Sequence, residues 1–311
     1  MLCRTLEVTR AAYYKASDRT ESAQKEKQDQ ITQLIKRIRA RKRRDAYGSP
    51  RMHQELLRAG INCCRNSVAK YMRAAGLRAK RKTNFRISTT NSNHSDPIAP
   101  NRLNQLFQTE SINQVWITDI TYVRTPEGFS YLCAFADLHS RRIIGWAISK
   151  SMTTELVLKA FDQAIALRNS PAGLIIHSDR GSQFASEAFR KRLKNHNLVQ
   201  SMSRKGNCYD NAPMESFFKS YKTEEIRDTI FETHEEASRS AVEYIERFYN
   251  RDRLHSSLGD QSPIEFEKTL KMEERNLPSS EPFVGRSREF ATDERVTEKA
   301  DFDLPLLVSS E

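Results

Sequence analysis

Between Gln114 and Met202 the apolar residues change period in a fixed order, and that order constrains the fold more than any other feature of the chain. Val115, Ile117, Asp119, Thr121 and Val123 alternate with Trp116, Thr118, Ile120 and Tyr122, as in a strand with one face toward a helix. Pro126-Glu127-Gly128 is a turn; Phe129 to Leu138 and Arg142 to Ser149 read as second and third strands joined as antiparallel hairpins. Thr153 to Arg168 carries Leu156, Val157, Ala160, Phe161, Ala164 and Ile165 at helical spacing. Gly173 to His177 is a short apolar strand of the kind buried inside a sheet. Ser186 to Asn195 reads as a helix, Leu198 to Met202 as a fifth strand, and a further helix follows. The pattern β-β-β-α-β-α-β-α predicts an α/β fold, a mixed five-stranded sheet with flanking helices.

Three carboxylates lie on this framework. Asp119 is mid-strand in QVWITDITYV, and Asp179 follows a strand end in GLIIHSDRGSQF, where Gly181 allows a sharp turn. Glu215 comes early in a helix after the loop NCYDNAP, with Asn211 as a fair N-cap and Pro213 tolerated in the first turn. Phe218, Lys219 and Lys222 follow on or near the face of Glu215, Lys222 roughly 10 Å further along the axis. A carboxylate in mid-strand needs a cation or a strong hydrogen-bond partner. Taken singly, the three read as a buried hydrogen bond, a cap and a salt bridge. Taken together, on a sheet that brings them close, they are hard oxygen ligands suited to Mg²⁺ or Mn²⁺. Two such ions would clamp the attacking and leaving oxygens of a phosphodiester displacement. Lys222 and Lys219 on the same helix, and Arg180, Arg204 and Lys205 on the loops, are candidate DNA contacts; as solvated side chains they would need no such role. His177 either assists the site or packs, with packing favoured, and Trp116 reads as core.

Charge divides the chain. The net charge is +11, yet residues 1–95 hold 23 Lys and Arg against 7 Asp and Glu, and the remainder holds 28 against 33. The basic end favours a polyanion, with a solvated leader as the plainer alternative. Residues 2–16 are compatible with a short helical pair in which Thr9 caps the second helix, and Ile31, Leu34, Ile35 and Ile38 recur at helical spacing. The run Arg39 to Arg44 reads equally as a solvated helix end or as a phosphate contact. From Tyr47 to Gly76, Ser49 is expected to cap a helix with Pro50 first in it and Met52, Leu56 and Leu57 inward; Gly60 ends it. A second helix, from about Arg65 to Ala75, turns Val68, Tyr71 and Met72 inward and closes at Gly76. This is a helix-turn-helix pattern whose outward residues Arg65, Asn66, Lys70 and Arg73 suit a DNA groove or backbone. The expected domains are a basic helical segment (1–46), the helix-turn-helix region (47–80), a linker (81–105), a core with a C-terminal helical extension (106–272) and a disordered tail (273–311). A long helix from Glu235 to Arg251 belongs to that extension. The five cysteines have no zinc-ligand spacing and read as reduced thiols. No signal peptide opens the chain and no apolar run approaches a membrane span, so a soluble, cytoplasmic protein is expected.

The segments YGSPRMHQEL, NQVWITDITYV, DLHSRRIIGWAIS, HSDRGSQF, DNAPMESFFKS and YNRDRLHSSLGDQSPIEFE resemble bacterial insertion-sequence transposases with a retroviral-integrase-type core. More narrowly they are similar to the downstream-frame (OrfB-type) product of elements with two overlapping frames, over about residues 1–272. The resemblance implies a ribonuclease H-like fold and an Asp-Asp-Glu triad falling on Asp119, Asp179 and Glu215. The family's basic residue seven positions after the Glu falls on Lys222. It also implies two Mg²⁺ ions, replaceable by Mn²⁺, cleavage at element ends, and strand transfer by the freed 3′-hydroxyl. The implied partners are double-stranded DNA, at element ends and target; the upstream-frame (OrfA-type) protein, separate or fused; and further copies of this chain on DNA. The implied location is the bacterial nucleoid. Cys64 departs from the family's Ser-like cap, the start is short, and the tail from 275 has no counterpart. Two other readings fit the basic N-terminal region: a non-catalytic DNA-binding regulator of transposition, and a nuclease of the same fold that cuts without joining.

Overall fold

The first three strands pair as the alternation and the short turns require. In the computed structural model, which describes residues 9, 11, 23–80 and 94–276, they are β1 (Val115–Thr125), β2 (Gly128–Asp137) and β3 (Ile143–Ser149). They form consecutive antiparallel hairpins, with Asp119 opposite Ala134 of β2. β4 (Ile175–Ser178) pairs parallel to β1, and β5 (Val199–Met202) parallel to β4. The strand order is β3-β2-β1-β4-β5, so β1 is the central strand. Its residues are buried on both faces, beyond the one-sided burial that its alternation suggests. The expected helical pair over residues 2–16, most of the linker and the tail from 277 onward lie outside the described residues.

Two apolar clusters lie on the two faces of the sheet. One joins Trp116, Ile120 and Phe135 to helices α4 (Thr154–Arg168), α5 (Ser182–Ala185) and α6 (Glu187–Asn195). Here α4 comes so close to β3 that a Cβ on Gly145 would stand 2.2 Å from the Ala160 carbonyl oxygen, so only glycine fits. The other cluster joins Val115, Ile117 and Val123 to α7 (Ala212–Tyr221) and α8 (His234–Val242). Both of these helices widen into π-helical turns, Lys222–Ile226 and Glu243–Tyr249. The single long helix expected from Glu235 to Arg251 therefore changes geometry midway. Helix α9 (Pro263–Asn276) ends the described chain. Among the described residues no helix is long and apolar enough to cross a membrane.

The second cluster also contains the N-terminal helices. α1 (Ala23–Arg39) contributes Ile31, Ile35 and Ile38, α2 (Ser49–Arg58) contributes Met52 and Leu56, and α3 (Arg65–Ala74) contributes Val68 and Met72. Both α2 and α3 end as their glycines foretell: Gly60 and Gly76 adopt φ of +78° and +69°. Ile61 N–H then donates to the Leu56 carbonyl at 2.9 Å, and Leu77 N–H to that of Met72 at 2.8 Å. Two expectations need correction. Gly48, not Ser49, is the N-cap of α2, because the extended residue is the one before Ser49. The run Arg39 to Arg44 is neither a solvated end nor, as a whole, open to phosphate. Arg43 and Arg44 are buried: Arg43 pairs with Glu225, and Arg44 with Glu55 at 2.9 Å and Asp252 at 2.6 Å. Glu225 and Asp252 lie far along the chain, and Glu55 on the next helix, so no pattern within the run announces them.

Candidate functional site

The strand register brings two of the carboxylates side by side. β1 and β4 pair with a constant offset of sixty, Ile117 against His177 being the last pair. Two residues further on, the same offset aligns Asp119 with Asp179. β4 ends at Ser178, so the two aspartates stand just beyond the last pair of the ladder, at the C-terminal end of the parallel pair. Asp119 Oδ1 accepts from the Ile120 N–H at 2.7 Å, and Asp179 Oδ1 from the Gly181 N–H at 3.0 Å. α7 packs against β1 and carries Glu215 in its first turn. Burial, then the charge of Asp179, and more weakly that of Glu215, push the Asp119 carboxyl well above the usual carboxylate range, against the Ile120 amide and Lys222. That proximity of like charges is what the alignment predicts. All three carboxylates keep some exposed surface. Among the described residues, no group of three or more acidic, histidine or cysteine side chains is placed so that it could hold a metal ion.

Lys222 completes this group. Its ammonium lies 4.8 Å over the Tyr122 ring, burial lowers its pKa, and the Asp119 charge opposes that shift. Lys219 Nζ reaches Glu215 Oε2 at 3.4 Å, one helical turn away. The other candidate contacts are spread over the molecule. Arg180 is half-buried and donates Nε to the Ser203 carbonyl at 2.6 Å. Arg204 is committed to Asp210 through Nη2 at 2.8 Å and Nε at 3.0 Å, while Lys205 beside it is exposed. Arg65, Asn66, Lys70 and Arg73 are all exposed on α3, over the buried Val68 and Met72. His177 packs: it is fully buried between Ser201 Oγ at 2.9 Å and Ser203 Oγ at 3.2 Å, and burial holds its pKa down at about 4. Trp116 is fully buried.

Sequence reasoning assigned no role to Tyr122 or Asp210, and read Asn211 as an N-cap. Asn211 is the N-cap residue of α7, but its side chain makes no capping bond. It crosses to β1 and donates Nδ2 to the Thr118 carbonyl at 3.0 Å. Asp210, fully buried, accepts from Asn101, Gln105 and Arg204. The signal that could have found Asp210 and Asn211 was their place in the segment that leads into the Glu215 helix. Reading Asn211 as an ordinary cap concealed it.

The match to known proteins falls on the same segments. Two profiles described as integrase core domains match residues 110–208 and 215–270, and one described as an HTH-like domain matches residues 26–85. The 31 kDa protein of insertion element IS600 from Shigella sonnei is 43% identical over 265 residues, covering 85% of this chain and 97% of that one. Transposase InsF of insertion sequence IS3A from Escherichia coli K12 is 39% identical over 267 residues, covering 86% and 92%. Among solved structures, the HTLV-2 integrase catalytic core in complex with magnesium (trimeric form) is 18% identical and covers 51% of this chain and 99% of that chain, with a TM-score of 0.40. Identity of this extent over nearly whole chains, on the helix-turn-helix and sheet elements described above, places the protein in a family: the chain belongs to the insertion-sequence transposases with an integrase-type core.

Proposed function

We propose that this DNA transposase cuts insertion-sequence ends and joins them to target DNA at the site formed by Asp119, Asp179 and Glu215. The observation that supports the reading is the sixty-residue offset of the β1–β4 ladder, which, carried two residues past its last pair, sets Asp119 against Asp179, with Glu215 on the helix packed against β1. The donor set suits divalent cations in its chemistry: it offers three hard carboxylates, and burial, then the charges of Asp179 and Glu215, raise the Asp119 pKa. Asp119, Asp179 and Glu215 would hold Mg²⁺ or Mn²⁺, which when bound supply activation of the attacking oxygen and neutralisation of the leaving one. In the first step a water oxygen attacks phosphorus at the element end and the bond to the 3′ oxygen breaks, leaving a 3′-hydroxyl. In the second that hydroxyl attacks a target phosphodiester; one P–O bond forms as one breaks, so no external energy source is required. Lys222, within reach of the Asp119 charge, offers a cation for the phosphate being transferred. The exposed residues of α3 suit the duplex backbone or groove. Joining two ends calls for at least two copies on DNA, with the upstream-frame product as a further partner, acting where the bacterial DNA lies.

The test compares the native chain with Glu215→Gln on a pre-cleaved element end in Mg²⁺ or Mn²⁺, alone and fused to the upstream-frame product. Joined product from the native chain, abolished by the substitution while DNA binding is retained, is the expected result. Cleavage without joining would indicate a nuclease. Undiminished joining by Glu215→Gln would refute the assignment of the site.

A further inference from the structure

We infer that Asn211 is the positioning residue that sets the three carboxylates relative to one another. This rests on the proposed function of the three carboxylates and goes beyond it, since Asn211 acts through the main chain beside them. The β1–β4 ladder opens with the Ile175 N–H donating to the Gln114 carbonyl at 3.0 Å. A parallel ladder repeats every two residues, so the Thr118 carbonyl is the β1 acceptor that corresponds to the amide of Asp179. The Asn211 side chain donates to that carbonyl, at 3.0 Å. One hydrogen bond thus joins the residue preceding Asp119, at the level of Asp179, to the residue that heads the Glu215 helix.

Three further observations point the same way. Asn211 occupies a position where its amide would ordinarily cap α7, and it makes no such bond. Its Oδ1 is buried and has no hydrogen-bond partner. A side chain retained for stability alone would satisfy both ends, or would be apolar. The main chain on which Asn211 rides is fixed independently. Asp210 accepts from Arg204 N–H at 2.8 Å, Asn101 Nδ2 at 3.0 Å and Gln105 Nε2 at 2.8 Å, so the neighbouring residue is clamped to the segment that precedes the sheet. Asp210 therefore anchors the loop, and Asn211 converts that anchor into a fixed separation between Glu215 and the two aspartates. Loss of the bond would let α7 shift against β1, and displacements of about an ångström at such sites cost on the order of a hundredfold.

The experiment measures Mn²⁺ binding by the full chain, by calorimetry and by paramagnetic resonance of the free ion, for the native protein, Asn211→Leu, Asn211→Ala and Glu215→Gln. Thermal midpoint and DNA binding are measured for each. The expected result is that both Asn211 variants keep the native midpoint and DNA affinity but bind Mn²⁺ about ten- to a hundredfold more weakly, as losses behind a metal's own ligands do. Strand transfer should then require correspondingly more metal. Native Mn²⁺ binding by Asn211→Leu and Asn211→Ala would overturn the inference. So would weakened binding that only accompanies a lowered midpoint, since that is a structural role. If Glu215→Gln binds Mn²⁺ as the native chain does, the site itself has been misassigned and the role of Asn211 falls with it.

Discussion

Replacing Arg43 by methionine tests whether the helix-turn-helix region and the sheet share one cooperative core. Arg43 and Glu225 are both only 5% exposed, and they form a two-pronged pair of which one arm, Nη2 to Oε1, measures 2.9 Å. The guanidinium also stacks 5.5 Å from the centroid of Tyr244 and 5.4 Å from that of Phe248. Methionine fills this aromatic slot, so the loss is chiefly that of Glu225's partner. Breaking a buried pair from one side costs about 3–5 kcal/mol. Here the lower end applies, about 3 kcal/mol, because Ser240 Oγ at 2.5 Å and Lys42 at 3.9 Å remain near the carboxylate. Glu225→Leu should cost a similar amount, with Glu243 left at 3.7 Å from Arg43. The double variant leaves no buried charge and should cost no more than about 3 kcal/mol, a coupling of about 3 kcal/mol. The assay is urea unfolding followed by fluorescence of Trp116 and Trp146, which report the sheet, and by helical dichroism. The two signals should move together in every variant. A single-variant cost below about 1 kcal/mol, or a double equal to the sum of the singles, would refute the reasoning.

Two other outcomes follow from the described side chains. His255 is buried, and burial, then the nearby Arg253, Arg51 and Arg141 charges, hold its pKa well below the ordinary value. Its folded pKa is depressed, so its contribution is present above the unfolded value of about 6.5 and is lost as pH falls, by up to about 1.4 kcal/mol per pH unit. Urea midpoints between pH 7.5 and 5 should fall less steeply for His255→Gln than for the native chain; parallel profiles would exclude the effect. Cys64 is the N-cap of α3, with extended backbone and no side-chain cap bond. Cys64→Ser should raise stability by about 1 kcal/mol, seen as a higher urea midpoint with unchanged slope, and no gain would mean that the hydroxyl finds no free amide.

The fold was legible wherever local period and turn chemistry decide it. Alternation in Val115–Val123, the Pro126–Gly128 turn and the apolar spacing of α4 dictate their elements, and the glycines after α2 and α3 end those helices as expected. The proximity of Asp119 and Asp179 was legible as well, because a parallel pairing of their two strands at a sixty-residue offset aligns them. What stayed hidden depends on partners distant in sequence. The buried fate of Arg43 and Arg44 is set by Glu225, Glu55 and Asp252, and nothing in a run of six mostly basic residues marks which two turn inward. Asn211 looked like a cap because its position is that of a cap; its bond to Thr118 exists only once α7 lies against β1. The widening of α7 and α8 into π-helical turns likewise answers to tertiary contacts, since Glu224, Glu225 and Tyr244 lie in those turns.

Those turns give the molecule a mechanical property. Glu224 and Glu225 follow Lys222 by two and three residues on the continuation of the helix that carries Glu215. Glu225 is held by Arg43 from the N-terminal region. Glu224 is held by Arg253 and by the Tyr244 hydroxyl at 2.7 Å, with Arg51 of α2 at 3.5 Å. Moving the N-terminal helices against the sheet would break the Arg43–Glu225 pair and open the apolar cluster that α1, α2 and α3 share with α7 and α8. The helix that exposes Arg65, Asn66, Lys70 and Arg73 and the helix that carries Glu215 are therefore packed on one shared core.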